Sequence, residues 1–251
     1  MARKHSKRFR AAVKTVDSAK AYGIEEAVKV LCGFSKAKFD ETVELSIKLG
    51  IDPKQADQML RGSFSLPRGL GKSKKVVVFA SGDKAEEARK AGADEVGSED
   101  LIKKVDGGWM DFDVAIAHPS LMPKLAKLGR VLGPQGKMPS PKSGTVTDAI
   151  AGAVKEFKAG KIEFRNDDGG NLHVPVGKRS FDEKALVENI QAFLEHVRGL
   201  KPAASKGNYL EHVVLKCTMS PVIGFWVSTT SKRASPWTIA PLSPTCPPDS
   251  P

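Results

Sequence analysis

Lys74-Lys75-Val76-Val77-Val78-Phe79-Ala80 decides the fold, because its five apolar residues run on without a polar interruption. A strand with one wet face alternates apolar and polar residues, whereas one covered on both faces reads as a continuous apolar run. The second meaning fits the downstream sequence. A helix through Lys84–Ala91, a strand at Glu95-Val96 and a helix at Asp100–Val105 come next. Then come a second apolar strand, Asp113-Val114-Ala115-Ile116-Ala117, and a helix near Leu121–Leu128. Strands and helices in that order predict parallel βα units.

Outward from this block the pattern changes on both sides. Upstream, a helix is expected over Gly23–Phe34, and then Val43, Leu45, Ile47 and Leu49 alternate with Thr42, Glu44, Ser46 and Lys48. Downstream of a helix over Asp148–Ala159, the alternation returns. Ile162 and Phe164 lead into the turn Asp167-Asp168-Gly169-Gly170, and Leu172, Val174 and Val176 lead out of it, which predicts a hairpin. A long amphipathic helix should start near Asp182 and stop before Pro202, followed by a last strand over Tyr209–Met219. The expectation is an α/β protein in which an α+β split domain, residues 1–67 and 160–221, carries an inserted Rossmann-like α/β domain, residues 68–159.

The two ends of the chain are compositionally distinct. Arg3, Lys4, Lys7, Arg8, Arg10 and Lys14 meet no acidic residue before Asp17, the pattern of a flexible arm that contacts nucleic acid or stays solvated. Half of residues 222–251 are Pro, Ser or Thr, so this tail is expected to be disordered. Of 251 residues, 40 are Lys or Arg and 29 are Asp or Glu, giving a net charge of +11. That excess favours a polyanionic partner through counterion release. No apolar run approaches the ~20 residues of a membrane helix, so no membrane partner is expected. Cys32, Cys217 and Cys246 are too few and too scattered for a disulfide framework, which fits a cytoplasmic setting.

Enzyme signatures fare poorly. Gly69-Leu70-Gly71-Lys72-Ser73 ends like a phosphate-binding loop, but Leu66 stands where its first glycine belongs, and the segment precedes a strand instead of following one. His5, His118, His173, His196 and His212 show no metal-ligand spacing, and Asp167 and Asp168 are explained by turn chemistry. No catalytic residue, metal or cofactor is expected. The rival reading is a nucleotide-binding enzyme seated on residues 68–159.

The loop Val131-Leu132-Gly133-Pro134-Gln135-Gly136-Lys137-Met138-Pro139-Ser140-Pro141-Lys142-Ser143-Gly144 is either a stiff linker or a phosphate-contacting segment. It also carries a resemblance. Together with Ala37–Glu44, Gly108–Asp113, Gly160–Asp167 and Ser205–Leu210, in colinear order over residues 1–219, it closely resembles bacterial large-subunit ribosomal protein one, the L-one family. The resemblance implies a two-domain, non-enzymatic protein of the cytoplasmic ribosome. It would bind 23S-type rRNA beside other ribosomal proteins, form the mobile stalk near the exit site and assist release of deacylated tRNA. It would also repress translation by binding its own mRNA.

On that resemblance the RNA-binding residues are Lys38, Phe39, Thr42, Arg165, Asp167, Lys206, Gly207, Thr218 and Met219. Lys and Arg would meet phosphates, Thr would reach 2′-hydroxyls, and Phe or Met would pack on bases or ribose. Phe39 and Met219 also read as plain core residues, and Thr42 as the wet side of its strand. Where the family has Thr-Met-Gly-Pro this chain has Thr218-Met219-Ser220-Pro221, and His212 replaces a common Ser. Ser220 would matter if the backbone there needs a positive φ. The domains are expected to rock about crossings near Leu66–Gly71 and Ala159–Lys161.

Overall fold

A computed structural model describes residues 6–17, 20, 22–202, 205 and 207–225, with the backbone alone at Ala56. Its fold is mixed α/β. The chain opens with α1 (Lys7–Thr15) and α2 (Ile24–Gly33), then β1 (Thr42–Leu49) and β2 (Arg61–Ser65). Next come β3 (Val76–Phe79), α3 (Asp83–Lys90), β4 (Glu95–Gly97), α4 (Glu99–Asp106) and β5 (Val114–Ala117). The short helices α5 (Met122–Leu125) and α6 (Gly129–Leu132) and the longer α7 (Ile150–Ala159) follow. The chain returns through β6 (Lys161–Arg165), β7 (Asn171–Lys178), α8 (Glu183–Gly199), β8 (Leu210–Cys217) and β9 (Ile223–Phe225).

Among the described residues three sheets form: β7-β1-β8-β9, antiparallel throughout; the two-stranded ribbon β2-β6; and the parallel sheet β4-β3-β5. The apolar run at 76–80 is explained by the two cores that β3 serves. Val77 and Phe79 join one with α4, Phe112 and the 121–132 segment, while Val76 and Val78 join another with α3 and α7. The alternation of β1 has the opposite cause. Val43, Leu45, Ile47 and Leu49 enter the large core beneath α2 and α8, and Thr42, Glu44, Ser46 and Lys48 stay on an uncovered face. Each fully buried Leu, Ile, Val or Phe adds about 1.5–3 kcal/mol of transfer free energy, so a one-residue slip of β1 would forfeit four such terms.

Four expectations need correction. The basic arm is not wholly flexible: Lys7–Thr15 is helical, the Ser6 hydroxyl accepts the Phe9 N–H at 3.2 Å, and Arg8 lies 3.7 Å from Glu41. Residues 1–5 lie outside the described residues. The helix near Leu121–Leu128 is instead a chain of short 3-10 and α turns, since Pro119 and Pro123 lack the N–H a continuous helix needs. The hairpin closes only at its turn. An isolated Asn166–Leu172 bridge joins the arms, after which β6 pairs with β2 and β7 with β1. Finally, the tail is not disordered from 222: Ile223 and Phe225 are buried on β9, with Phe225 bridged to Tyr22. Residues 226–251 lie outside the described residues.

The crossings between the ribbon and the parallel sheet are tightly made. Gly69, Gly71 and Gly160 have φ of 68°, 73° and 110°, the left-handed region that favours glycine. Asn189 of α8, fully buried, accepts the Arg68 N–H at 3.0 Å and donates to the carbonyls of Gly69 at 3.1 Å and Val176 at 2.9 Å. Arg68 also pairs with Glu188 at 2.6 Å.

Candidate nucleic-acid interface

The expected residues gather at two ends of one sheet face. At the first end, α2 stops at Gly33 and the chain loops to β1. The Arg179 guanidinium caps this helix end by donating to the carbonyls of Cys32 at 3.2 Å, Ser35 at 3.3 Å and Phe34. The Glu41 carboxylate accepts the Ala37 N–H at 3.1 Å and faces Arg179 and Arg8, each at 3.7 Å. Asp40 accepts from the Ser180 N–H at 3.2 Å and its hydroxyl at 2.9 Å. Pinned at 37, 40 and 41, the loop turns Lys38 and Phe39 outward, and Phe39 is 54% exposed.

Thr42 and Thr218, 176 residues apart in sequence, hold each other. The Thr218 hydroxyl accepts the Thr42 N–H at 3.2 Å, and the Thr218 N–H donates to the Thr42 carbonyl at 3.2 Å. Lys178 donates to the Thr42 hydroxyl at 2.8 Å. Met219, 53% exposed, follows directly. Neither Phe39 nor Met219 is therefore a core residue. Ser220 is unstrained, since no described residue other than glycine has a positive φ, and its hydroxyl accepts the Cys217 N–H at 2.8 Å. The serine thus closes the turn itself. Burial, then the Glu41 charge, pushes the Cys217 thiol up to about 12, leaving it an inert filler.

Arg165, Asp167 and Gly207 stand at the other end, about 20 Å away by the rise of β1 from Thr42 to Lys48. Asp167 is turned to local use. Its carboxylate accepts the N–H groups of Asn171 at 2.6 Å and Gly169 at 2.9 Å, and the Asn171 side-chain amide at 3.0 Å. These bonds, those from Asn171 first, hold its carboxyl below the usual aspartate value. Gly207 has φ 89°, and its carbonyl accepts from Lys201 at 3.2 Å. Lys206 lies outside the described residues. Lys48 donates to the Gly169 carbonyl, tying β1 to the turn.

Between the two ends runs an uncovered polar face that single-residue reasoning missed. Ser46 bonds His173 at 3.0 Å, Lys216 pairs with Glu44 at 3.2 Å, and the His173 ring lies 3.8 Å from both Glu44 and Asp167. The alternations at 42–49 and 172–176 already marked Glu44, Ser46 and His173 as wet; only the strand order could show that they adjoin Lys216. The phosphate-loop fragment is no such loop. Lys72 pairs with Asp113 at 3.4 Å and the segment runs into β3, with no helix opening at its end. In the 131–144 loop, Lys137 is spent internally, donating to the Met110 carbonyl at 3.0 Å above the Phe112 ring. Among the described residues no helix is long and apolar enough to cross a membrane.

A cation-edged, uncovered sheet face is thus flanked by an exposed phenylalanine and methionine. Residues 31–221 match the Ribosomal protein L1p/L10e family, and the chain belongs to that family. It is 54% identical over 220 residues to the large ribosomal subunit protein uL1 of Kosmotoga olearia, covering 88% of this chain and 95% of that one. Identity to the uL1 of Beutenbergia cavernae is 53% over 225 residues, covering 90% and 94%, and to that of Persephonella marina 54% over 224 residues, covering 88% and 93%. The chain is thus a structural ribosomal protein of the cytoplasmic ribosome, and the enzyme reading of residues 68–159 falls away.

Proposed function

We propose that this chain is a constituent of the large ribosomal subunit that grips 23S-type rRNA on the uncovered face of the β7-β1-β8-β9 sheet. One observation carries this reading. The mutual bonds of Thr42 and Thr218 bring Phe39 and Met219, both exposed large apolar side chains, beside Lys38 and Lys178. Apolar surface for a base or ribose within reach of cations for phosphate is the chemistry of RNA recognition. Arg165 and Gly207 serve the same strand of RNA at the far end of the face. Asp167 acts through the shape of its turn.

The chain works as two domains, 1–67 with 160–225 and 68–159, rocking about the 66–71 and 159–161 crossings. What supports this is that the large core draws on residues 22–66 and 162–225, while the two others draw only on 76–157. Such rocking suits a mobile stalk that assists release of deacylated tRNA. A similar RNA fold on the protein's own mRNA would meet the same face and repress translation. Binding of a large-subunit rRNA stalk fragment tests the reading. Phe39→Ala and Met219→Ala should each weaken it about tenfold, since base stacking is worth about 1–3 kcal/mol. Equal affinity of the chain for that fragment and for unrelated RNA would end it.

A further inference from the structure

Arg61 and Arg165 stand directly opposite each other in the β2-β6 ribbon. The bond from the Asn166 N–H to the Leu60 carbonyl, 3.0 Å, makes the neighbouring 60/166 position the hydrogen-bonded one. Positions 61 and 165 are therefore a non-hydrogen-bonded pair, where opposed side chains come closest, with Cα atoms about 4.5 Å apart. Both arginines are exposed, and like charges so placed repel.

The ribbon's outer face is poor in negative charge. Its strand residues there are Arg61, Ser63, Ser65, Lys161, Glu163 and Arg165, with one carboxylate among them. That carboxylate, Glu163, feels the charges of Arg61, Lys74 and Lys161 together. Lys161 already has its own partner in Glu156, at 2.7 Å. Neither Arg61 nor Arg165 forms an ion pair within 4.0 Å among the described residues. Two guanidiniums held side by side concentrate positive charge at one point, and their planar forks match phosphate oxygens bidentately.

We propose that Arg61 and Arg165 form a two-guanidinium site for a phosphate oxyanion, filled by a phosphodiester of the bound RNA. The inference rests on the RNA reading above. The ribbon meets the uncovered sheet face at the Asp167–Asn171 turn, two residues beyond Arg165, so a strand of RNA leaving that face passes over the pair. The ribbon also ends at both interdomain crossings, so a phosphate bound there relieves the repulsion beside the hinge.

The test uses the full chain and the rRNA stalk fragment, with affinity measured across a salt series. Arg61→Ala and Arg165→Ala should each weaken binding severalfold and make the plot of log affinity against log salt shallower by about 0.7–1, one phosphate contact. The double variant should fall little further, because both side chains serve one phosphate. Arg61→Lys should restore the salt slope but not the full affinity. Melting temperatures of the RNA-free variants should stay level or rise, as repulsion is lost; a drop would mark a structural pair and overturn the site. Unchanged affinity and slope in Arg61→Ala, with Phe39→Ala still weakening binding, would overturn the site and leave the RNA reading standing. No effect from any variant, Phe39→Ala included, would sink both. Inorganic phosphate separates the two sources: saturable shifts of the arginine Nε resonances with no change in RNA salt slope would assign a free anion and refute the RNA contact.

Discussion

Gly160 and Gly69 meet backbone to backbone: a β-carbon built on Gly160 would stand 2.8 Å from the Gly69 Cα and 2.8 Å from the Leu70 nitrogen. Because those atoms are backbone, neither can swing aside, and φ at Gly160 is 110°. Gly160→Ala should therefore cost about 1–3 kcal/mol, read as a lower urea midpoint. Gly152→Ala, inside α7 where a β-carbon meets nothing within 4 Å, is the control and should leave the midpoint level or raise it.

Asn189→Leu should destabilise the protein through unmet hydrogen bonds. It would strand the Arg68 N–H and the Gly69 and Val176 carbonyls. Only the Val176 contact is fully buried; a buried orphan costs about 1–3 kcal/mol, so a loss toward the upper end of that range is expected in chemical unfolding. Hydrogen exchange at the Arg68 amide should rise with it, which a packing defect elsewhere would not cause.

His196 gives the ribbon a pH dependence. Its ring stacks on Phe64 at 4.7 Å and meets the Phe164 edge at 5.9 Å, and burial holds its pKa below the usual histidine value. A depressed folded pKa means that the unfolded chain binds the proton more readily. The stabilising contribution is thus complete above the ordinary value near 6.5 and is lost as pH falls through the lower folded value. Melting temperature should decline on acidification in that window, and His196→Phe should flatten the decline.

Truncation tests the weight of β9. The reference is the chain ended after Phe225, and the measurement is its melting temperature. Ending it after Pro221 removes Ile223 and Phe225 from the core, each worth about 1.5–3 kcal/mol, and should lower it by several degrees.

Much of this architecture was legible in the sequence wherever burial imposes a period. The alternation at 42–49 and the continuous run at 76–80 named their strands and their kinds of sheet, because one or two covered faces leave different patterns. The ribbon was not legible. Arg61–Ser65 has a glycine, two serines and charged or half-exposed flanks, so its strand character comes from pairing with β6, almost a hundred residues on. The same holds for β9, whose three residues become a strand only because β8 offers an edge. At the candidate interface, the resemblance named Phe39 and Met219, but not that Thr42 and Thr218 lock their segments together. Resemblance placed Arg165; the cross-strand register alone shows Arg61 facing it.

The split of the large core sets an order of assembly. Its strand β1 pairs on both sides with strands that begin at Asn171 and Leu210, and Tyr22 waits for Phe225. The cores built on 76–157 need nothing beyond themselves. During synthesis the middle of the chain can close as soon as it emerges, while the apolar side of β1 stays bare until the last described strand is made. The part of the protein translated first is the part completed last.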